Sequence, residues 1–240
     1  VVETIDSTNA ELLRLPSAEV FPGLALLAMS QSGGRGRSDR VWESPEGGMY
    51  LSAVLCPGEP SGLALLGALA VLRLLESYGI EGQLRWPNDV TIGGRKIAGV
   101  LPVARFCGNL LERAVLGVGL NVAQPLESFP SELQGQVTTL IQEGPTHHRF
   151  QVVPVAREYL GFLAVEFAHL QAQGLASFCS RCSPYLEGVG QQPALVAPGV
   201  APVMLPAITG LTASGGLALA EGQTLEVLGR EQRLRFAGEF

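Results

Sequence analysis

The residues with chemical potential fall in two segments: Gln31-Ser-Gly-Gly-Arg-Gly-Arg-Ser-Asp-Arg-Val-Trp42, and Arg85-Trp-Pro-Asn-Asp89 running on to Gly94-Arg-Lys-Ile-Ala-Gly99. In the first, glycines 33, 34 and 36 let the backbone take unusual angles, while Arg35, Arg37 and Arg40 offer planar donor forks to phosphoryl or carboxylate oxygens. In the second, Lys96 is a lone ammonium at the start of an apolar run. Grouped cations in a chain of net charge -6 suit an enzyme that holds an anion while chemistry occurs on it.

Each piece has a plainer reading when taken alone. The glycine and arginine segment could be a solvated basic loop, and Lys96 could snorkel from a strand end. Neither common nucleotide motif applies, because the loop lacks the Gly-Lys-Ser/Thr closure of a P-loop and position 39 is Asp where a dinucleotide fingerprint needs Gly. Trp86-Pro-Asn-Asp89 reads as a turn, and Gly117-Val-Gly-Leu-Asn121 as a strand rich in glycine. Cys179-Ser-Arg-Cys182 has the spacing of a zinc or redox pair, but no second pair accompanies it and the segment is amphipathic, so packing is the expectation. His147 and His148 fall in a polar stretch and read as loop residues.

The elements that must position these groups are legible in outline. Thr8 and Glu11 have capping-box spacing for a helix starting near Asn9. Leu24 to Met29 and Met49 to Leu55 read as buried strands on either side of the functional loop. Ser61 is the expected N-cap of a helix reaching Tyr78, with Gly79 as its stop. Gln83 to Trp86, Asp89 to Ile92, Lys96 to Val103 and Arg113 to Val122 are β-like, and Gly93-Gly94 should turn a hairpin. A helix is expected over Pro154 to Gln173, ended by Gly174. Beyond Gly188 charges thin out, and short runs at 202–209, 217–220, 224–228 and 233–236 suggest a small barrel.

The 240 residues, 47% hydrophobic and 16% charged, supply a core large enough for one large domain and a small one. The longest apolar run, Gly62 to Leu72, is too short to cross a bilayer, which needs about 20 residues. No secretion signal is visible, so the cytoplasm is the expected location, although the missing initiator Met leaves an upstream segment open. The acidic balance argues against a general nucleic-acid surface, and no transmembrane or DNA-binding pattern is seen.

In order and spacing, Asp6-Ser-Thr-Asn9, Gln31, Gly34-Arg-Gly-Arg37, Trp42-Glu-Ser-Pro45, Trp86-Pro-Asn-Asp89, Gly94-Arg-Lys-Ile-Ala-Gly99 and Gly117-Val-Gly-Leu-Asn121 together resemble the biotin protein ligases. The resemblance is strong over residues 3 to 123 and weaker in the tail from about 188. Two departures stand out: Arg85 where the family often has Lys, and Ser38-Asp39 where it often has a further Gly and Arg. The resemblance is to forms without the amino-terminal DNA-binding domain.

That resemblance implies an α+β fold, a mixed sheet with flanking helices of the class II aminoacyl-tRNA synthetase and biotin ligase kind, over residues 1–187. A small SH3-like β-barrel would follow over 188–240. It implies ATP-dependent attachment of biotin to a lysine of a biotin carboxyl carrier protein, of acetyl-CoA carboxylase or a related carboxylase, through biotinyl-5'-AMP. Lys96, Arg37 and Arg35 would be catalytic. Biotin would be held by Ser7, Thr8, Asn9, Gln31, Arg35, Gly36, Arg37, Lys96, Gly99 and Gly117. ATP would meet Arg40, Trp42, Asn88 and Asn121, and Asp89 would either bind Mg²⁺ or orient Lys96. A homodimer is among the assemblies the resemblance allows, with no nucleic-acid or membrane partner. A lipoate-protein ligase, or a regulatory module that binds biotin without transferring it, are the competing readings.

Overall fold

The structure, a computed structural model, describes residues 1–56, 60–228 and 232–236. Its centre is a seven-stranded mixed sheet. In chain order the strands are β1 (Val2–Ile5), β2 (Ala25–Gln31), β3 (Met49–Leu55), β4 (Gln83–Arg85), β5 (Asp89–Ile92), β6 (Arg95–Cys107) and β7 (Leu110–Leu120). They lie side by side as β1-β2-β3-β7-β6-β5-β4. Only β1 and β2 run parallel; the other pairs are antiparallel. The Gly93-Gly94 turn is present, both residues with positive φ.

Alternation along the strands gives the two faces different tasks. Met49, Leu51, Ala53 and Leu55 of β3 point into the main core, with helix α1 (Thr8–Arg14) on the opposite face and helix α2 (Leu63–Ser77) on theirs. Eleven of the 15 residues of α2 are buried, because it lies between the sheet and the long helix Val152–Cys182. Burying each of its leucines contributes about 2 kcal/mol. Its N-cap is Gly62, not Ser61, and no side chain caps it. Its end is as expected: Gly79 takes φ +74° and lets the Ile80 N–H reach Leu75 O at 2.9 Å.

The long helix corrects the sequence reading. Gly174 breaks it, with φ +76°, yet helix resumes to Cys182. Phe178, Cys179 and Cys182 anchor the second half in the core. Buried Glu166 ties the halves together by accepting from Arg181 at 2.9 Å and from Arg73 at 3.4 Å. Burial pushes the Cys182 thiol up to about 12, so these cysteines stay protonated and serve as packing groups.

The C-terminal region forms two three-stranded antiparallel sheets. One contains β8 (Ala194–Ala197), β9 (Val200–Met204) and β13 (Arg233–Arg235), the other β10 (Ile208–Leu211), β11 (Leu217–Leu219) and β12 (Thr224–Leu225). Strand β8 has no counterpart among the runs expected from sequence. Ile208, Leu217, Leu219, Leu234 and Phe236 join the same apolar cluster as α2 and the long helix, so this region packs onto the sheet domain. The final residues assigned to the barrel, 237–240, lie outside the described residues. No helix among the described residues is long and apolar enough to cross a membrane.

Candidate active site

A cavity of about 170 Å³ opens on the sheet face opposite α2. Its base is glycine. Gly117 pairs with Ser52 and Leu101, and Gly119 with Tyr50 and Gly99, across three neighbouring strands. A Cβ on Gly117 would lie 2.5 Å from the Asn9 amide, and one on Gly119 would lie 2.3 Å from the Trp42 indole. Glycine is needed at both because a side chain sits where any Cβ would go.

Over Gly117 stands a chain of neutral polar groups. Asn9 Nδ2 donates to Leu101 O at 3.0 Å, which turns Asn9 Oδ1 toward Ser52, whose hydroxyl donates to it at 2.8 Å. A hydroxyl has one proton, so Ser52 Oγ must accept from Thr8 Oγ1 at 2.7 Å. The Thr8 backbone N–H donates to Gln31 Oε1 at 2.9 Å, and Gln31 Nε2 donates to Ser44 Oγ at 3.0 Å. Ser7, extended at φ -160°, is the N-cap of α1 and accepts from Ala10 N at 3.4 Å. The cap is therefore Ser7 rather than Thr8, and Glu11 pairs with Arg14 instead of closing a capping box. This frees Thr8 for the cavity.

Two residues further along the strands, over Gly99 and Gly119, lie Trp42 and Lys96. The Lys96 ammonium is 5.0 Å from the Trp42 ring centroid and 2.8 Å from Asp89 Oδ1, a close ionic contact that is out of line for a hydrogen bond. Trp42 Nε1 is buried with no acceptor, an orphan donor that costs about 1–3 kcal/mol until something accepts from it. Lys96 reaches this face through a break in strand alternation. Val90 pairs with Ala98 but Thr91 with Lys96, so Ile97 is an extra residue. Ile97, Ala98 and Val100 all enter the core, while Lys96 and Gly99 line the cavity. Strict alternation would have put Lys96 on the side of Ala98. The Lys96 backbone is held from outside the hairpin by Gln136 O at 2.8 Å and Thr138 N at 3.0 Å.

The arginine loop folds over the cavity as a short hairpin, with Gly36 N to Arg40 O at 2.7 Å and Trp42 N to Gly34 O at 3.0 Å. Ser38 takes the left-handed conformation, φ +57°, which costs a non-glycine residue about 1–2 kcal/mol. Arg37 is half-buried; desolvation lowers its pKa, opposed by the charge of Asp89. It donates to Leu228 O at 3.4 Å, so the loop touches the C-terminal region. That region also contributes Leu228, Gln232, Arg233 and Leu234 to the cavity wall. Arg85 holds Glu187 in a fork, at 2.6 and 2.9 Å, and Trp86 Nε1 donates to Gly215 O at 2.8 Å.

Every site residue expected from sequence lines this cavity except Asn121. Asn121 is 1% exposed and spends its amide on Thr138 O and Gln124, so the structure does not bring it to the ligand space. Asn88 lines the wall while donating to Val100 O at 2.8 Å. Sequence reasoning missed Tyr50, Ser52, Leu228, Gln232 and Arg233, which also line it. Ser52 could have been found as the one polar residue within the run Met49 to Leu55. Arg233 carries no local signal, because only tertiary packing brings it there. Among the described residues no three His, Cys, Asp or Glu side chains cluster as a metal site.

Residues 1–121 match the sequence profile of the biotin/lipoate A/B protein ligase family. A biotin–[acetyl-CoA-carboxylase] ligase of Paracoccus denitrificans is 34% identical over 179 residues, covering 70% of each chain. The bifunctional ligase/repressor BirA of Bacillus subtilis is 35% identical over 146 residues, a match that takes in 58% of this chain and 45% of that relative's length. The biotin protein ligase of Aquifex aeolicus, solved in complex with biotin and ATP, superposes with TM-score 0.82 and 28% identity over 99% of this chain and 98% of that one. The sheet, its helices and the strand-rich tail are thus the biotin protein ligase architecture. With the glycine base, the arginine loop and the lysine placed as described, the chain belongs to the biotin/lipoate A/B protein ligase family.

Proposed function

We propose that this chain activates biotin with ATP and transfers it to a specific lysine of a biotin carboxyl carrier protein. The observation that carries the reading is the adjacency of two unlike surfaces on one glycine base: neutral amides and hydroxyls over Gly117, and Lys96 beside Trp42 over Gly99 and Gly119. A ureido ring needs neutral donors and acceptors, and Asn9 and Gln31 each keep a second amide N–H for it. A carboxylate joined to a phosphate needs cations.

In this reading the biotin carboxylate attacks the α-phosphorus of ATP, pyrophosphate leaves, and the carrier amine then attacks the mixed anhydride with AMP as leaving group. Lys96 offsets the charge that builds on carboxylate and α-phosphate oxygens, held in place by Asp89. Arg35 and Arg37 close over the same oxygens and exclude water. Trp42 stacks on adenine, with its free Nε1–H available to the ligand, and Arg40 and Asn88 attend the phosphates and ribose. Among the described residues Asp89 is the only carboxylate lining the cavity, and it is paired with Lys96, so its role here is to orient that lysine. One carboxylate beside phosphate oxygens is still a set that Mg²⁺ accepts, and the ion would enter with ATP to offset triphosphate charge. Residues 1–187 act as the catalytic domain and 188–240 as an SH3-like barrel domain. The cytoplasm is the location this reading proposes, in keeping with the use of ATP.

The test is pyrophosphate release on mixing the protein with ATP and biotin, repeated with lipoate. Release with biotin alone, followed by labelling of a carrier domain, is expected. Release with lipoate instead would make this a lipoate ligase, and biotin binding without release would make it a regulatory module.

A further inference from the structure

We infer that Glu143 and Thr138, neither of which lines the cavity, are positioning residues that fix the direction of Lys96; the inference rests on the adenylating reading and adds to it how the lysine is aimed. Strand β6 outruns its neighbour. Its pairing with β7 ends at Ala98 opposite Leu120, so Lys96 and Ile97 project past the end of β7. The chain leaves there at Asn121 and returns at Gln136 to continue the sheet beside Lys96. Val137 forms a parallel bridge with Lys96, through Lys96 N to Gln136 O at 2.8 Å and Thr138 N to Lys96 O at 3.0 Å.

The returning segment is closed into a clasp by one carboxylate oxygen. Glu143 Oε1 accepts from Arg95 at 2.6 Å and from the Thr138 hydroxyl, so the residue before Lys96 and the residue bonded to its carbonyl meet at a single atom. Asn121 Nδ2 donates to Thr138 O at 3.0 Å, and Leu140 N to Asn121 O at 3.1 Å, which ties the clasp to the end of the glycine-bearing strand. Thr138 is fully buried, so water does not compete for its bonds. The two adjacent cations are thereby drawn to different carboxylates, Arg95 to Glu143 at 2.6 Å and Lys96 to Asp89 at 2.8 Å.

The clasp matters because the bulge has a competitor. Without the extra residue, Thr91 would face Ile97, and alternation would send Lys96 to the side of Ala98. A bulge leaves its extra residue unpaired in the ladder, so bonds from outside the hairpin must favour it. The bridge to Val137 and the hold of Glu143 on Arg95 supply them. Direction is what the chemistry needs from Lys96, since a misplacement of about 1 Å can cost about 10²-fold in rate.

Glu143→Ala, Glu143→Gln and Thr138→Val in the full chain provide the test, first through single-turnover adenylate formation. The rate should fall about 10-fold in Glu143→Ala, less in Thr138→Val, and recover in Glu143→Gln, whose amide oxygen still accepts. The KM for biotin and for ATP should stay within about twofold of wild type, because both binding surfaces are untouched. In a Lys96→Ala background the same substitutions should change the rate by less than about twofold, since a residue that acts through Lys96 then has nothing left to position. An equal factor in both backgrounds would make the clasp a general support and overturn the inference, as would an unchanged rate.

A second readout needs no turnover. Lys96 is the only lysine among the 240 residues, so reductive methylation with isotopically labelled formaldehyde marks one side chain besides the N-terminal amine. Its ammonium lies 5.0 Å from the Trp42 ring centroid, and the ring current shifts the methyl resonance away from that of a free lysine. The resonance should move toward the free value in Glu143→Ala and return in Glu143→Gln; the same resonance in wild type and Glu143→Ala would overturn the inference. If the wild type formed no adenylate from biotin and ATP, the adenylating reading would fail by itself, and this resonance would decide the positioning of Lys96 alone.

Discussion

The closed end of the cavity and its arginine rim are built on opposite plans. Over Gly117, short neutral side chains are buried and bonded in sequence from Gln31 through Thr8 and Ser52 to Asn9, each bond contributing about 1 kcal/mol. At the rim, long charged side chains extend from a glycine-rich loop, and one loop residue, Ser38, is strained. The first surface is ordered by its own bonds before a ligand arrives, and the second gathers positive charge suited to an anion. A site made this way can recognise a neutral ring by fit and hold a reactive phosphate by closure.

The sharpest way to break that comparison is at the boundary between the halves. Lys96→Ala should leave a folded protein that binds biotin but forms adenylate about 10² to 10³ times more slowly, the scale of one lost oxyanion donor. Unchanged pyrophosphate release would remove Lys96 from the chemistry. Next in size is Gly117→Ala, whose Cβ would displace Asn9 and raise the KM for biotin about 10-fold by undoing its bonds, with the KM for ATP unaffected. Gly135→Ala, where no atom lies within 4 Å of the new Cβ, is the control. Equal behaviour of the two variants would show that the glycine base is not organising the head-group end.

A smaller, kinetic difference should separate the rim from the base. Trypsin should cut at Arg35, Arg37 or Arg40 several-fold more slowly once biotin and ATP are added, because the intermediate supplies the anion that offsets the ordering cost of the glycines. Cleavage at one rate with and without ligands would show that the loop is not a lid.

The smallest effect concerns the support of the polar end. Hydrogen bonds from Arg14, and then from the Ser7 N–H, hold the Asp6 carboxyl down to about 2, against an ordinary 3.8. A depressed acid stabilises the fold above its unfolded pKa and loses that contribution as pH falls through its folded pKa. The stability difference between wild type and Asp6→Asn should therefore be constant above about pH 4 and shrink between there and about pH 2. Both partners are exposed, so the gap should be small and should diminish with salt. Urea midpoints that track each other across that range would dismiss the clamp.

How much of this was legible beforehand differed by element. Strand Met49–Leu55 and the Gly79 helix stop are legible because their signals are local: an apolar run interrupted only at Ser52, and a glycine after the last helical turn. The break at Gly174 looks like an end in sequence because nothing local says that Phe178, Cys179 and Cys182 have a core to return to. Propensity alone favours Ser61 as the cap, yet the helix begins after Gly62.

The sequence by itself determined the chemistry available: glycines where side chains must come close, arginines on a loop, one lysine in an apolar strand, in an order that resembles one family. Those are properties of residue type and spacing, and they survive without coordinates. Only the tertiary structure decided which way the groups face. The extra residue at Ile97 turns Lys96 from the core to the cavity, hydrogen bonding within the fold removes Asn121 from the ligand space, and packing of β13 brings Arg233 to the rim from the far end of the chain. Each outcome depends on contacts between residues distant in sequence, and a local pattern cannot encode the direction of a side chain that a remote strand or helix has fixed.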